Sequence, residues 1–179
     1  MSAPTLDTER LRLRGHRTED FDAVARLWAD PAVVRHITAT PSTEAESWSR
    51  LLRHTGHWQH MGYGYWVLED RATGRFLGEA GLAHYKRALD IDCRDLPEAG
   101  WVLAQDAWGQ GYAREAMAAI LHWADLTLET PGTWCFIAEK HTASLRLAAR
   151  LGFQEVKRTS AAGGAVAVLE RECRKSAEE

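Results

Sequence analysis

The chain has 179 residues, of which 45% are hydrophobic and 26% charged, and its formal net charge at pH 7 is −3. This composition is ordinary for a globular protein, and the length predicts one domain over residues 1–179 with a charged, frayed tail from about residue 172. Basic and acidic residues are interspersed and no apolar run is long enough for a bilayer, so we expect no nucleic-acid or membrane partner.

Neither the N-terminus nor the cysteines indicate export. The first residues lack the basic and apolar segments of a signal peptide. Cys93, Cys135 and Cys173 are too widely separated to suggest a disulfide framework or a metal site. The sequence therefore predicts a reduced, cytoplasmic protein.

The first third of the chain predicts a strand and two helices. Arginine and leucine alternate over residues 10–14, which indicates a strand with its leucines facing inward. Thr18 is expected to cap a first helix, which Pro31 ends. Thr43 and Glu46 have the spacing of a capping box that opens a second helix.

Three histidines recur at every third residue of the second helix: His54, His57 and His60. They come closest to a metal-ligand set, but no neighbouring cysteine or acid completes it. A solvated helix face is the favoured interpretation, and we expect no metal.

The middle of the chain predicts antiparallel strands. Residues 63–68 and 76–84 are expected to pair around a turn at Gly74. A charged loop over residues 86–96 follows, and Pro97 then opens another strand that continues to Leu103.

Residues 101–116 form the most informative segment. An apolar strand runs into a polar loop that ends in Gly109-x-Gly111, and apolar residues at helical spacing follow at once. Glycines leave backbone N–H groups uncovered, and a helix N-terminus adds unpaired donors, so this combination binds phosphate or pyrophosphate. A tight turn with a glycine cap explains the same pattern, and the motif alone does not decide between them.

The last third predicts a strand over residues 133–138, a short helix over about 141–151, and a hairpin of residues 154–159 and 165–170. In this order the elements resemble the GNAT superfamily of N-acetyltransferases, and in particular its ribosomal-protein N-terminal (alanine/serine) acetyltransferase branch. The segments that carry the resemblance are residues 6–14, 76–82, 98–103, 108–116 and 144 with 150–153.

The resemblance implies a mixed α/β (α+β) fold, with a central mixed, mostly antiparallel sheet flanked by about four helices. It implies a single N-acetyltransferase domain that transfers an acetyl group from acetyl-CoA to a primary amine. The residues that it places at acetyl-CoA, from the pantetheine strand through the pyrophosphate loop to the late helix, are Trp101, Leu103, Gly109, Gln110, Gly111, Tyr112, Ala113, His141 and Ser144.

Two positions depart from the family pattern. Asp106 stands where the loop often begins with Arg or Gln. His141 stands where the late helix usually begins with Asn, a residue that commonly contacts the pantetheine arm. The first departure puts an acid near the expected pyrophosphate, and the second changes the expected pantetheine contact.

Amide formation from a thioester requires a deprotonated amine, a donor to the carbonyl oxygen and stabilisation of the leaving thiolate. The resemblance implies that the backbone N–H of Leu103 is the donor. Many GNAT enzymes use a tyrosine as the general acid at the position that Ala148 fills here. The candidate to stabilise the leaving thiolate in this chain is therefore Ser144. A serine with only a local role in the first helical turn is the alternative.

Two acids inside apolar strands, Glu98 and Glu79, are the candidate bases, since a charge there requires a cleft or a partner. Glu98 is preferred because its strand would flank the thioester. A salt-bridged structural carboxylate is the competing interpretation, and a chain of waters could carry the proton instead.

An aromatic acceptor wall, able to hold a cation or a flat ring, is expected from Trp28, His36, Trp48, Trp58, Tyr63 and Tyr65, with Trp28 and Trp48 rather in the core. No cysteine is expected in the site as a nucleophile, so we predict direct transfer through a ternary complex. The favoured acceptor is the N-terminal amine of a protein or peptide. The alternatives are acetylation of a small-molecule amine (aminoglycoside, polyamine or amino acid) and a non-catalytic acyl-CoA-binding module. We expect the protein to be a monomer or a homodimer.

Overall fold

The computed structural model describes residues 2–87, 91–161 and 164–174. Within them eight strands form one sheet in the spatial order β1-β2-β3-β4-β5-β6-β8-β7. All neighbouring strands are antiparallel except β5 and β6, which are parallel. In chain order β1 to β8 are Leu6–Asp7, Leu11–Arg14, Tyr65–Asp70, Phe76–Ala83, Glu98–Leu103, Gly132–Ala138, Gln154–Ala161 and Gly164–Glu172. The predicted mixed, mostly antiparallel sheet is confirmed.

The described residues also contain five α-helices and three short 3₁₀ turns. The turns are Thr18–Asp20, Asp92–Asp95 and Gln105–Ala107. The helices α1 to α5 are Phe21–Ala29, Pro31–Val34, Glu44–Met61, Tyr112–Thr127 and Thr142–Arg150. None of these helices has the length and apolar character needed to cross a membrane.

The N-terminal helical region differs from the prediction in two ways. Thr18 does not cap α1 but begins a 3₁₀ turn, in which the Asp20 carboxylate accepts a hydrogen bond from the backbone N–H of Arg17 at 2.7 Å. Pro31 ends α1 and also begins α2, because its fixed φ suits a first helical turn and Asp30 caps that turn. This extra helix explains why the structure has five helices rather than about four.

The boundaries of α3 follow from local chemistry as predicted. The Thr43 hydroxyl accepts a hydrogen bond from the Glu46 N–H at 3.2 Å, and the Glu46 carboxylate accepts one from the Thr43 N–H at 2.7 Å. Gly62 ends the helix with a φ of 73°, a conformation that glycine adopts without steric cost.

Helices cover both faces of the sheet around β5. Helix α4 packs against β2, β4 and β5 and belongs to the same core cluster as Leu103. Helices α1, α2 and α3 contribute to a second cluster that includes Val102. Because Val102 and Leu103 are successive strand residues, their side chains point to opposite faces, and β5 is buried between the two clusters.

Three expectations concern residues at the edges of the described segments. Strand β8 continues to Glu172, and the Cys173 N–H donates to the Pro131 carbonyl at 2.8 Å, so the tail is ordered further than expected. Residues 88–90 of the charged loop, 162–163 of the hairpin turn and 175–179 of the tail lie outside the described residues.

Candidate active site

A cleft opens where β5 and β6 diverge. The two parallel strands are in register only at Glu98 and Trp134. On its other side β5 stays paired with β4, and the Ala104 N–H donates to the Leu77 carbonyl at 2.9 Å. Since N–H groups alternate along an antiparallel strand, those of the odd-numbered residues of β5, Leu103 among them, point away from β4 and toward the opening.

This cleft has a volume of about 1310 Å³ and collects four of the predicted site residues. Glu98 and Trp101 of β5, His141 before α5, and Ser144 in α5 all line it. Leu103 is 6% exposed and belongs to the core, and its carbonyl accepts a hydrogen bond from the Trp108 indole at 2.8 Å. Leu103 and the glycine loop lie outside the cleft lining.

The glycine loop has the backbone that the sequence suggested. Gly109 and Gly111 have φ angles of 72° and 82°, and α4 begins immediately after them at Tyr112. A Cβ at Gly109 would meet nothing within 4 Å, so the loop is open on that side. Uncovered N–H groups at the start of a 16-residue helix fit a pyrophosphate.

Arg10, which directly precedes β2, connects the glycine loop to the N-terminal strands of the sheet. Its guanidinium donates to the Gln110 carbonyl at 2.9 Å and forms an ion pair with Glu115 at 2.7 Å. The carboxylate of Asp106, the unexpected acid, forms an ion pair with Arg75. Arg75 therefore offsets the negative charge beside the loop.

Ser144 lies in a hydrogen-bonded chain at one wall of the cleft. Its hydroxyl accepts a hydrogen bond from the Trp101 indole at 3.2 Å and lies 3.0 Å from Nε2 of His141. Burial, together with the nearby His36, lowers the pKa of His141, which favours the neutral ring. Because an indole only donates, the Ser144 hydroxyl is available to donate to His141. His141 thus contacts this hydroxyl and makes no side-chain cap to α5.

Glu98 lies at the start of β5 and is 7% exposed. Its carboxylate accepts two hydrogen bonds from Arg87, at 2.6 and 2.9 Å. Burial raises the pKa of Glu98 above its ordinary value, although Arg87 acts in the opposite direction. A carboxylate has about four lone-pair sites, so Glu98 can still accept a proton or hydrogen bond from a group in the cleft.

Two tyrosines, Tyr65 and Tyr85, lie near Glu98, and the sequence did not predict that they lie together. Both tyrosine side chains line the cleft, and burial raises the pKa of each hydroxyl. Tyr65 fits because position 100 is a glycine: a Cβ there would lie 2.0 Å from the Tyr65 hydroxyl. Tyr85 lies between the strand predicted to end at residue 84 and the charged loop predicted from residue 86, so its sequence context gave no signal of this role.

The other candidate base, Glu79, is buried beneath the cleft and does not line it. Its carboxylate accepts a hydrogen bond from the Trp28 indole at 2.6 Å and lies 2.5 Å from His16 Nε2. Burial raises the pKa of Glu79, but the hydrogen bond and charge of His16 outweigh burial and lower it to about 2. The geometry of Glu79 is that of a structural ion pair.

The prediction of a solvated histidine face is wrong for two of its three residues. His54 is 1% exposed and stacks on Tyr65, and His57 is 9% exposed. Helix α3 turns these residues toward the sheet, where His54 approaches Glu79 at 3.9 Å. His60 is exposed, as predicted.

Among the described residues, one group has the side chains of a metal site: His16, His54 and Glu79. Two nitrogen or oxygen ligands on one zinc ion lie about 3.3 Å apart, given bonds of about 2.0 Å and tetrahedral angles. The 2.5 Å contact between His16 and Glu79 is shorter than that. This contact fits a direct hydrogen bond and does not fit two ligands of one ion.

Three of the six residues predicted for the acceptor wall line the cleft, and one of the three, Trp28, is also a core residue as expected. Trp28, His36 and Tyr65 line the cleft, whereas Trp48, Trp58 and Tyr63 do not. Trp48 is also not a core residue, since it is 39% exposed and packs edge-on against Phe21.

One cysteine does border the cleft. Cys135 lies on β6 and is 1% exposed. Burial and the nearby Glu98 raise the pKa of its thiol well above the ordinary value. A thiol that stays protonated is a poor nucleophile, so its presence does not favour a covalent acetyl-enzyme.

Residues 10–154 match the acetyltransferase (GNAT) domain family. The chain belongs to the GNAT family. YkkB of Bacillus subtilis (strain 168), an uncharacterized protein, is 30% identical over 96% of this chain and 98% of its own length. A structure from Bordetella pertussis, described as a GNAT-family acetyltransferase, is 32% identical, covers 94% of this chain and 99% of that one, and has a TM-score of 0.84.

Two more distant structures share the GNAT fold. A spermidine N-acetyltransferase from Vibrio cholerae, in complex with CoA and spermine, is 16% identical, covers 93% of this chain and 97% of that one, and has a TM-score of 0.73. The ribosomal L7/L12 α-N-protein acetyltransferase RimL, in complex with CoA, is 14% identical, covers 97% and 100%, and has a TM-score of 0.78. This GNAT protein is an acetyl-CoA-dependent N-acetyltransferase, and its acceptor is an amine.

Proposed function

We propose that this acetyltransferase passes the acetyl group of acetyl-CoA directly to the N-terminal amine of a peptide or protein bound in the cleft. The observation that carries the proposal is the divergence of β5 and β6, which brings Glu98 and Ser144 to the lining of one cleft. In it a base and a hydroxyl donor could act on opposite sides of the same thioester.

In this proposal the pyrophosphate of acetyl-CoA binds the backbone N–H groups from Gly109 to Ala113. The pantetheine arm then follows β5, with Trp101 and the late-helix residues His141 and Ser144 beside it. The open glycine loop and the outward direction of the N–H groups of β5 support this path. The Leu103 N–H is proposed to donate to the acetyl carbonyl oxygen as negative charge develops there.

Glu98 is proposed to remove a proton from the acceptor ammonium, directly or through one water. The free amine nitrogen then attacks the thioester carbon and the carbon–sulfur bond breaks. The nitrogen gives up its second proton as the amide forms, and the CoA thiolate takes up a proton through water, so that the products are an amide and the CoA thiol. The raised pKa of Glu98 supports this role, because a stronger base transfers the proton with less cost. The Ser144 hydroxyl, which accepts from the Trp101 indole, is proposed to turn its single proton from His141 to the departing sulfur and so stabilise it.

The choice of acceptor follows the resemblance to the ribosomal-protein N-terminal acetyltransferases. The cleft of about 1310 Å³ has to hold the end of the pantetheine arm as well as the acceptor, and that size is compatible with a peptide end and with a small amine. A small amine is the second candidate. Several arginines and lysines line the cleft, and their positive charge disfavours polyamines and aminoglycosides. Amino acids are then the favoured small amines.

The proposal is tested by following CoA thiol release with a panel of peptides, amino acids, polyamines and aminoglycosides, while mass spectrometry detects the acetylated product. We expect amine-dependent release and an acetylated peptide N-terminus. CoA binding without turnover of any amine would support a non-catalytic binding module instead.

A further inference from the structure

The lining of the cleft has an excess of positive charge. The two acids of its lining already have partners, since Glu98 binds Arg87 and Glu139 lies 3.4 Å from Arg158. Among the residues that the structure describes, no carboxylate lies within 4 Å of five basic side chains of the lining: Arg35, Arg50, Arg53, Lys86 and Lys140. Several positive charges in one cleft attract an anion.

Arg50 is the most constrained of these cations. Its guanidinium lies 3.6 Å from the centre of the Trp28 ring and donates one hydrogen bond, to the Ser42 hydroxyl at 3.3 Å. Burial lowers the pKa of Arg50. A guanidinium has five N–H donors, so a half-buried one with a single hydrogen bond is well placed to bind a carboxylate or phosphate.

Arg53 follows one helical turn later on the same face of α3. Its guanidinium lies 5.2 Å from the centre of the Tyr85 ring, which keeps it over the cleft. Residues three apart on a helix are neighbours, and like charges there repel each other. An anion bound between Arg50 and Arg53 would remove that repulsion.

Two of the aromatic rings that line the cleft, Trp28 and Tyr85, are already covered by cations of the protein. Arg50 covers Trp28, and the Tyr85 ring has Arg53 on it and Arg87 at 4.8 Å. A cationic acceptor would therefore meet positive charge where the sequence suggested a cation-binding wall. This arrangement argues against spermine-like acceptors.

We infer that the acceptor carries a carboxylate or phosphate in addition to its reacting amine, and that Arg50 and Arg53 bind this anionic group. The inference rests on the proposed acetyl transfer and narrows its substrate class. Amino acids, amino phosphates and peptides with an acidic residue near the N-terminus belong to this class, whereas polyamines and aminoglycosides do not.

Matched pairs of amines test the inference. The pairs are phosphoethanolamine with ethanolamine, γ-aminobutyrate with n-butylamine, and C-terminally amidated tripeptides with Asp or Asn at the second position. We measure kcat/KM for each member and its binding to the CoA complex. In at least one pair, kcat/KM for the member that carries the anionic group should exceed kcat/KM for the member that lacks it by about tenfold or more. Whether that pair is one of the small amines or the tripeptides shows whether the acceptor is a small molecule or a peptide.

Variants connect that preference to the two arginines. Arg50→Gln and Arg53→Gln should each reduce the preference for the anionic member while leaving CoA affinity unchanged, and Arg50→Lys should keep part of it. Arg26→Gln, the same change at an exposed position of α1 outside the cleft, is the control. Arg53 is exposed, so its variant is informative even where Arg50→Gln folds poorly.

The outcomes separate the inference from the proposed function. Equal or better use of neutral and polycationic amines, or a preference that survives both glutamine variants, contradicts the inference. Failure to acetylate any amine contradicts the proposed function. In that case binding of the same anionic amines still tests the site, and binding that does not depend on Arg50 and Arg53 contradicts it.

Discussion

Gly100 leaves the space that the Tyr65 hydroxyl occupies, so Gly100→Ala tests the geometry of the cleft directly. A Cβ at this position would lie 2.0 Å from the hydroxyl oxygen, where ordinary contacts begin at 3.4 Å. The hydroxyl must therefore move by about 1.4 Å. Tyr65 is 8% exposed and stacks on His54 with ring centres 4.5 Å apart, so its ring has little freedom to move.

We expect this substitution to lower the free energy of unfolding by about 1–3 kcal/mol, as overpacking does in other cores. We also expect kcat/KM to fall by roughly 10²-fold, because a misplacement of about 1 Å in a catalytic cleft has effects of that size. Urea unfolding and steady-state kinetics measure the two effects separately.

Tyr65→Phe removes the hydroxyl, and the nearest remaining ring atom then lies 3.2 Å from the added Cβ. The double variant should therefore regain stability, with a coupling free energy of about 1–2 kcal/mol. Gly56→Ala is the control, because a Cβ there meets nothing within 4 Å and alanine favours a helix. A Gly100→Ala protein with wild-type stability and activity would refute the reasoning.

Four further predictions concern the loop, the two catalytic candidates and the buried histidine. Gly111→Val covers the N–H groups and strains a residue whose φ is 82°; CoA affinity measured by calorimetry should fall about a hundredfold, or 2.7 kcal/mol, and unchanged affinity in a folded variant refutes the site. Glu98→Gln should lower kcat/KM by roughly 10²-fold near neutral pH, with a deficit that shrinks at high pH; an equal loss at every pH indicates that Glu98 only positions Arg87. Ser144→Ala should lower kcat by roughly 10- to 10²-fold with little change in CoA affinity; a less stable but fully active variant removes Ser144 from the mechanism. Burial lowers the pKa of His54 from 6.5 to about 3, so the unfolded chain binds its proton first and the free energy of unfolding should decline as pH falls from 6.5 toward about 4.5. His54→Gln should show a shallower decline, which retains the contribution of the lowered pKa values of His84 and His141, and an unchanged decline contradicts the assignment.

Local chemistry was sufficient to predict much of the fold. The capping box of α3, the glycine loop before α4, and the position of Ser144 at the start of α5 are written in residues close together in the chain. The short α2 was missed because a proline that ends one helix can also begin the next.

Contacts between distant segments account for what the sequence did not reveal. The helical spacing of His54 could not show that this face of α3 turns toward Glu79 of β4. The thiol of Cys135 borders the cleft only because β6 diverges from β5, and strand pairing over a whole sheet is not readable from either strand alone. The cations of α3 matter for the acceptor because the chain brings Trp28 and Tyr85 beneath them.

Initial rates of CoA release, measured while acetyl-CoA and an acceptor amine are varied together, test the central claim most directly. Direct transfer in a ternary complex predicts intersecting double-reciprocal lines, no release without amine, and one acetamide formed for each CoA. A burst of CoA without amine, parallel lines, or an acetyl group on Cys135 would contradict the account.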